Sequence, residues 1–108
     1  MRAQKLLTFD LPLLLPIDKV SRAISLMDEY KVAHLPIVVE DHFQGLIKEE
    51  DLLEHEDTAV LAEVATYQIS VDPNLHLYDV VAQMSRADVD ILPVVFQGKY
   101  MGSIDRGA

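Results

Sequence analysis

The residues best suited to chemistry lie close together in Lys48-Glu49-Glu50-Asp51-Leu52-Leu53-Glu54-His55. Asp51 and His55 are four apart and share one face if the stretch is helical, a spacing that carboxylate and imidazole metal ligands use. Ordinary acidic helices produce such pairs freely, so a solvated acidic face accounts for them and no metal site is assigned. The chain contains no HExxH, no P-loop, no GxGxxG and no arguable Ser-His-Asp arrangement. It has 0 cysteines, which excludes thiolate catalysis and cysteine-ligated metals. The chemistry that remains is recognition: an acceptor at Asp51, an ammonium at Lys48 and an imidazole at His34. The chain reads as non-enzymatic, with no required cofactor.

The elements that must position these groups occur twice. Displacing the sequence by 57 positions lays Pro16 on Pro73, Met27 on Met84, Val32 on Val89, Leu35-Pro36 on Leu92-Pro93, Val38 on Val95, Gly45 on Gly102 and Ile47 on Ile104. These are eight identities over 38 positions, against roughly two or three from average residue usage. Val20, Ala23, Ile24 and Met27, like Leu77, Val80, Val81 and Met84, fall at i, i+3, i+4, i+7. Each set predicts an amphipathic helix with these residues buried. Asp18 and Asn74 stand where caps are expected.

Leu35-Pro36-Ile37-Val38-Val39 and Leu92-Pro93-Val94-Val95-Phe96 then predict buried strands, with the proline at the start where no ladder donor is lost. Gly45-Leu46-Ile47 and Gly102-Ser103-Ile104 predict the return strands. Gly98-Lys99 suits a tight turn, and Asp41-His42 holds the equivalent place. Residues 49–55 predict a closing helix whose second copy is missing, because Ala108 aligns with Asp51. The expected fold is α/β (α+β): two pseudo-symmetric β-α-β-β-α repeats, 1–57 and 58–108, stacked as one compact domain, the second lacking its closing helix. Two units too small to cover their own sheets should bury a shared surface and leave a cleft between them.

A chain of 108 residues, 50% apolar and 25% charged, suits such a domain. Its net charge of −9, with basic residues scattered singly, argues against nucleic acid or an anionic membrane as partner. The longest apolar stretch, residues 11–17, contains Pro12 and Pro16 and is far shorter than the ~20 residues of a membrane span. Asp10 and the prolines interrupt the faint leader-like start. A cytoplasmic location is expected.

Leu-Pro-Ile-Val-Val followed by Gly-Leu-Ile, and Leu-Pro-Val-Val-Phe followed by Gly-Ser-Ile, each behind a helix opened by a proline, resemble tandem cystathionine-β-synthase (CBS) domains, a pair called a Bateman module. The resemblance covers residues 7–108. It implies a non-catalytic sensor that takes AMP, ADP, ATP or S-adenosylmethionine between the repeats, pairs as a homodimer and adjusts a separate effector protein.

The family signature is Gly, two residues, Thr or Ser, two residues, Asp, in which the hydroxyl approaches phosphate and the Asp binds ribose. It falls on residues 45–51, where Asp51 is in place and Lys48 replaces the hydroxyl. An ammonium can reach an oxyanion as a point charge, but Glu49 and Glu50 oppose polyphosphate and favour a ligand with few negative charges. In the second repeat Asp105 takes the place of the hydroxyl and Ala108 that of the ribose-binding Asp, which implies an impaired site. The resemblance places the adenine pocket at His34, Leu35 and Pro36, at Ile91, Leu92 and Pro93, and on leading segments containing Leu13, Ser70 and Val71, with Ile47 beside Lys48. The alternative is a structural dimerisation or association domain with degenerate, ligand-free clefts. In that case Asp51 is a helix-start residue, Lys48 a solvated charge and His34 a strand-end residue with a satisfied hydrogen bond.

Overall fold

The computed structural model describes residues 1–8 and 10–106. After a 3-10 turn at Ala3–Lys5 come α1 (Val20–Tyr30), β1 (His34–Val39), β2 (His42–Lys48) and α2 (Glu49–Leu52). A second 3-10 turn at Leu61–Glu63 precedes α3 (Leu77–Ala87), β3 (Ile91–Phe96) and β4 (Lys99–Asp105). The second helix and hairpin match the first residue for residue at the 57-position displacement.

Each hairpin folds for the same local reasons. Glu40 and Asp41 have φ of 48° and 68°, and Gln97 and Gly98 have 52° and 82°. Two successive positive φ values make the two-residue turn whose twist matches the flanking strands. The turns therefore lie at Glu40-Asp41 and Gln97-Gly98, each one residue earlier than expected. A bulge follows Ile37 opposite Gly45 and another follows Val94 opposite Gly102. Gly45 (φ +144°) admits no side chain, because a Cβ there would stand 2.7 Å from Thr66 Cβ. The segment leaving the first repeat crosses at this point, with Leu46 and Tyr67 exchanging backbone hydrogen bonds of 2.9 and 2.8 Å.

The four strands form one antiparallel sheet in the order β1-β2-β4-β3. Its two halves meet at the hairpin tips, where Phe43 N–H donates to Gly98 O (3.1 Å) and Tyr100 N–H donates to Asp41 O (2.7 Å). These bonds exchange under a pseudo-twofold axis. The same symmetry governs the segments leading into the helices: Leu61 N–H bonds Asp18 O in the first repeat, and Ala3 N–H bonds Leu75 O in the second. Each repeat's helix start is thus clasped by the segment that precedes the other repeat.

Val20, Ala23, Met27, Val80 and Met84 are buried as the periodicity demands, in a core shared with Leu14, Leu35, Ile37, Leu46, Leu52, Leu61, Leu92 and Val94. Three expectations need correction. Ile24 and Leu77 are only partly buried, and Val81 is 57% exposed. Leu52 and α2 cover one flank of α1; among the described residues no helix lies on the matching flank of α3. A groove of about 500 Å³ remains there, lined by Leu6, Leu77, Val81, Met84 and Ile104 among others.

The leading strands of the β-α-β-β-α pattern shrink to single parallel bridges, Leu14 with Ile37 and Val71 with Val94. Pro12, Pro16 and Pro73 lack donors and interrupt the ladders. The helix caps also differ. Asp18 accepts from Leu15 N–H (2.8 Å) and pairs with Arg22 (3.5 Å), which leaves Lys19 as the N-cap of α1 without a side-chain bond. His76 rather than Asn74 caps α3, accepting from Tyr78 N–H.

Candidate functional site in the cleft between the repeats

The two repeats touch where β1 and β3 begin. There the Asp90 carboxylate of the second repeat accepts the Ala33 N–H and the His34 Nδ1–H of the first, each at 2.7 Å. Burial acts to raise the Asp90 pKa, but the hydrogen bonds from His34 and Ala33 outweigh it and hold the carboxyl below its ordinary value of 3.8. The His34 ring is almost enclosed, and its Nδ1 is committed to Asp90. Ala33 O accepts from Glu49 N–H, and Asp90 O accepts from Arg106 N–H, both at 2.9 Å. Residues 33 and 90 are therefore backbone equivalents, yet only one carries a side chain that bridges the repeats.

Lys48 ends β2 and Glu49 opens α2, so the change from strand to helix turns Lys48, Glu49 and Glu50 toward this contact. With Ala33, His34 and Asp88 they line a hollow of about 220 Å³. Asp88 is placed by the left-handed end of α3, at φ 55°. The Lys48 ammonium lies 4.1 Å from the centre of the Tyr67 ring, a cation–π contact across the repeats. Tyr67 in turn borders a hollow of about 300 Å³ with Gln68, Ile69, Gln83, Arg86 and Ala87. The Lys48–Tyr67 contact and the consecutive residues Ala87 and Asp88 link the linings of the two hollows.

The sequence-predicted residues divide into three groups. His34 and Lys48 meet at the first hollow. Leu35, Pro36, Ile47, Val71, Ile91, Leu92 and Pro93 are buried and line neither hollow. Ser70 is exposed, and Leu13 lines a separate hollow of about 200 Å³ with Thr8, Leu11, Tyr100, Met101 and Gly102. There burial raises the pKa of the Tyr100 hydroxyl, which is paired with Ser103 Oγ at 2.7 Å. Asp51 is partly buried in the first turn of α2 and does not line the Lys48 hollow. Asp105 lies on the groove beside α3, and Ala108 falls outside the described residues.

Asp90, Tyr67, Gln83 and Arg86 escaped the sequence reading. For Asp90 a signal existed: positions 33 and 34 read Ala-His where 90 and 91 read Asp-Ile, a carboxylate and an imidazole on opposite repeats at the best-matched part of the alignment. Among the described residues no three His, Asp or Glu side chains converge to hold a metal ion, and no helix is long and apolar enough to cross a membrane.

A doubled hairpin-and-helix unit with a cleft across its pseudo-twofold is the architecture of a paired domain. The CBS domain family model matches twice, over residues 4–57 and 61–107, and the chain belongs to that family. It is 25% identical over 99 residues to the CBS domain-containing protein YhcV of Bacillus subtilis, covering 85% of this chain and 71% of that one. Among solved structures it is similar to CBSX2 in complex with AMP, with a TM-score of 0.81, 23% identity and coverage of 98% and 90% of the two chains. It is also similar to the CBS domain pair of MJ0100 in complex with 5′-methylthioadenosine and S-adenosyl-L-methionine, with a TM-score of 0.78, 18% identity and coverage of 99% and 90%.

Proposed function

We propose that this chain is a regulatory, non-catalytic module that binds an adenine nucleotide or related adenosyl ligand in the cleft between its repeats. The observation that carries this reading is the hollow at the contact between the repeats, walled by residues from both, with a second hollow in the second repeat beyond the Lys48–Tyr67 contact. A ligand spanning them favours one relative arrangement of the halves, and biases the module only through its differential affinity for the arrangements. Two of the similar structures hold AMP or S-adenosylmethionine-related ligands, which supports an adenosyl ligand here. The module acts on a separate effector protein in the cytoplasm. It works as a homodimer, since the open apolar flank of α3 suits a partner surface; light scattering over a dilution series should report twice the 12.1 kDa chain mass.

In this reading the ligand reaches past the Lys48 hollow to Asp51, beside Glu50 in the first turn of α2; Asp51 accepts hydrogen bonds from the ribose, and Lys48 stands at the 5′ end of the sugar. A hydrogen bond to a charged group is worth about 1.5–3 kcal/mol, so Asp51→Ala should weaken binding by about ten- to a hundredfold in calorimetric titration. Unchanged affinity would place the ligand elsewhere. No binding of AMP, ADP, ATP or S-adenosylmethionine at millimolar concentration would favour a structural association domain, a reading that the replacement of the signature hydroxyl by Lys48 independently motivates.

A further inference from the structure

The charges around the cleft determine which adenosyl ligands it can hold. Resting on the adenosyl-binding reading above, we propose that this cleft selects ligands whose 5′ end carries no phosphate, and prefers those whose 5′ end is cationic. At Lys48, where the family signature puts a phosphate-facing hydroxyl, the hollow is bordered by three carboxylates, Glu49, Glu50 and Asp88. Among the described residues Lys48 is the one lysine or arginine that lines it, and that ammonium is drawn onto the Tyr67 ring. The Asp90 carboxylate adds further negative charge behind His34. The short helix α2 offers an anion no refuge, because Glu49, Glu50 and Asp51 occupy its first turn.

Arg86 lines the neighbouring hollow from the last turn of α3. The carbonyls at that end of a helix oppose a bound anion. That second hollow suits an uncharged purine: Tyr67, Ile69 and Ala87 offer a ring and apolar surface, and the Gln68 and Gln83 amides offer donors and acceptors. The two halves of the cleft thus match a neutral base at one end and a neutral or positive sugar substituent at the other. A sulfonium or ammonium group facing Glu49, Glu50 and Asp88 gains the attraction that a phosphate loses.

Calorimetric titration of the full chain at low salt with S-adenosylmethionine, 5′-methylthioadenosine, AMP and ATP tests this. S-adenosylmethionine should bind tightest and 5′-methylthioadenosine next, with AMP about tenfold weaker and ATP weaker again; raising the salt should narrow these gaps, because the carboxylates face water. The double variant Glu50→Gln with Asp88→Asn should raise the affinity for AMP relative to 5′-methylthioadenosine and lower that for S-adenosylmethionine. Asn tolerates the left-handed backbone at position 88, and circular dichroism checks that the variant is folded. AMP or ATP binding more tightly than 5′-methylthioadenosine, or an affinity ratio unmoved by the variant, overturns the selectivity while leaving adenosyl binding intact. Failure of all four ligands at millimolar concentration removes the adenosyl reading and this inference with it.

Discussion

The two repeats share a backbone and differ where it matters for function. Helix and hairpin coincide at a displacement of 57 residues, down to the two-residue turns and the bulges opposite Gly45 and Gly102. Yet Lys48 faces the cleft where its counterpart Asp105 lies on an apolar groove, and a helix covers α1 where α3 lies open. At the contact between repeats, Ala33-His34 meets Asp90-Ile91, a one-way bridge across a symmetric frame. The shared positions are apolar residues, prolines and glycines, which build the scaffold. Several of the unshared ones are charged, and these make the two sides of the pair inequivalent.

The largest test of that contrast is the cover over the helices. Leu52 is fully buried against the first repeat, so Leu52→Ala should lower unfolding stability by about 2–5 kcal/mol, as core truncations do. Val81, 57% exposed on the uncovered helix, should tolerate Val81→Ser with a change within about 0.5 kcal/mol in the monomer. Urea denaturation of both variants reads the difference, and equal losses would show that the second helix is covered after all.

A smaller effect is expected at the one-way bridge. Asp90→Ala strands the Ala33 N–H and the His34 ring, and loss of a charged acceptor should cost about 1.5–3 kcal/mol. The sign with pH follows from its depressed pKa. The folded carboxylate is ionised more readily than the unfolded one, so its contribution is present at neutral pH and disappears as pH falls below about 4. Wild type should therefore lose more stability than Asp90→Asn between about pH 5 and pH 3, measured by urea midpoints across that range. Parallel pH profiles would break the assignment.

The smallest effect separates the two turns. Asp41 adopts φ 68° where its counterpart Gly98 adopts 82°. Glycine reaches that region without strain, so Asp41→Gly should stabilise by about 0.5 kcal/mol and Gly98→Ala should destabilise by about 1 kcal/mol. Thermal melts of the pair suffice, and a destabilised Asp41→Gly would mean that the Asp41 side chain contributes to the junction of the hairpin tips.

Much of this molecule follows from the order of its residues. The i, i+3, i+4, i+7 stripes locate both helices, Leu-Pro followed by β-branched residues locates the buried strands, and the doubled pattern implies the pseudo-twofold, because these are local properties that repeat wherever the local sequence repeats. The absence of cysteines likewise excludes thiolate chemistry before any coordinate is seen. What lies beyond local sequence was decided only by folding. Val81 shares a helical stripe with Met84 but is exposed, since burial depends on what packs against a stripe and not on the stripe alone. Asp90 and His34 are 56 residues apart and meet at 2.7 Å only because the two repeats pack against each other where β1 and β3 begin. The Lys48–Tyr67 contact and the acidic border of the cleft have the same origin: they join groups from both repeats, and no periodicity within either one records which charges its partner will bring to the shared wall.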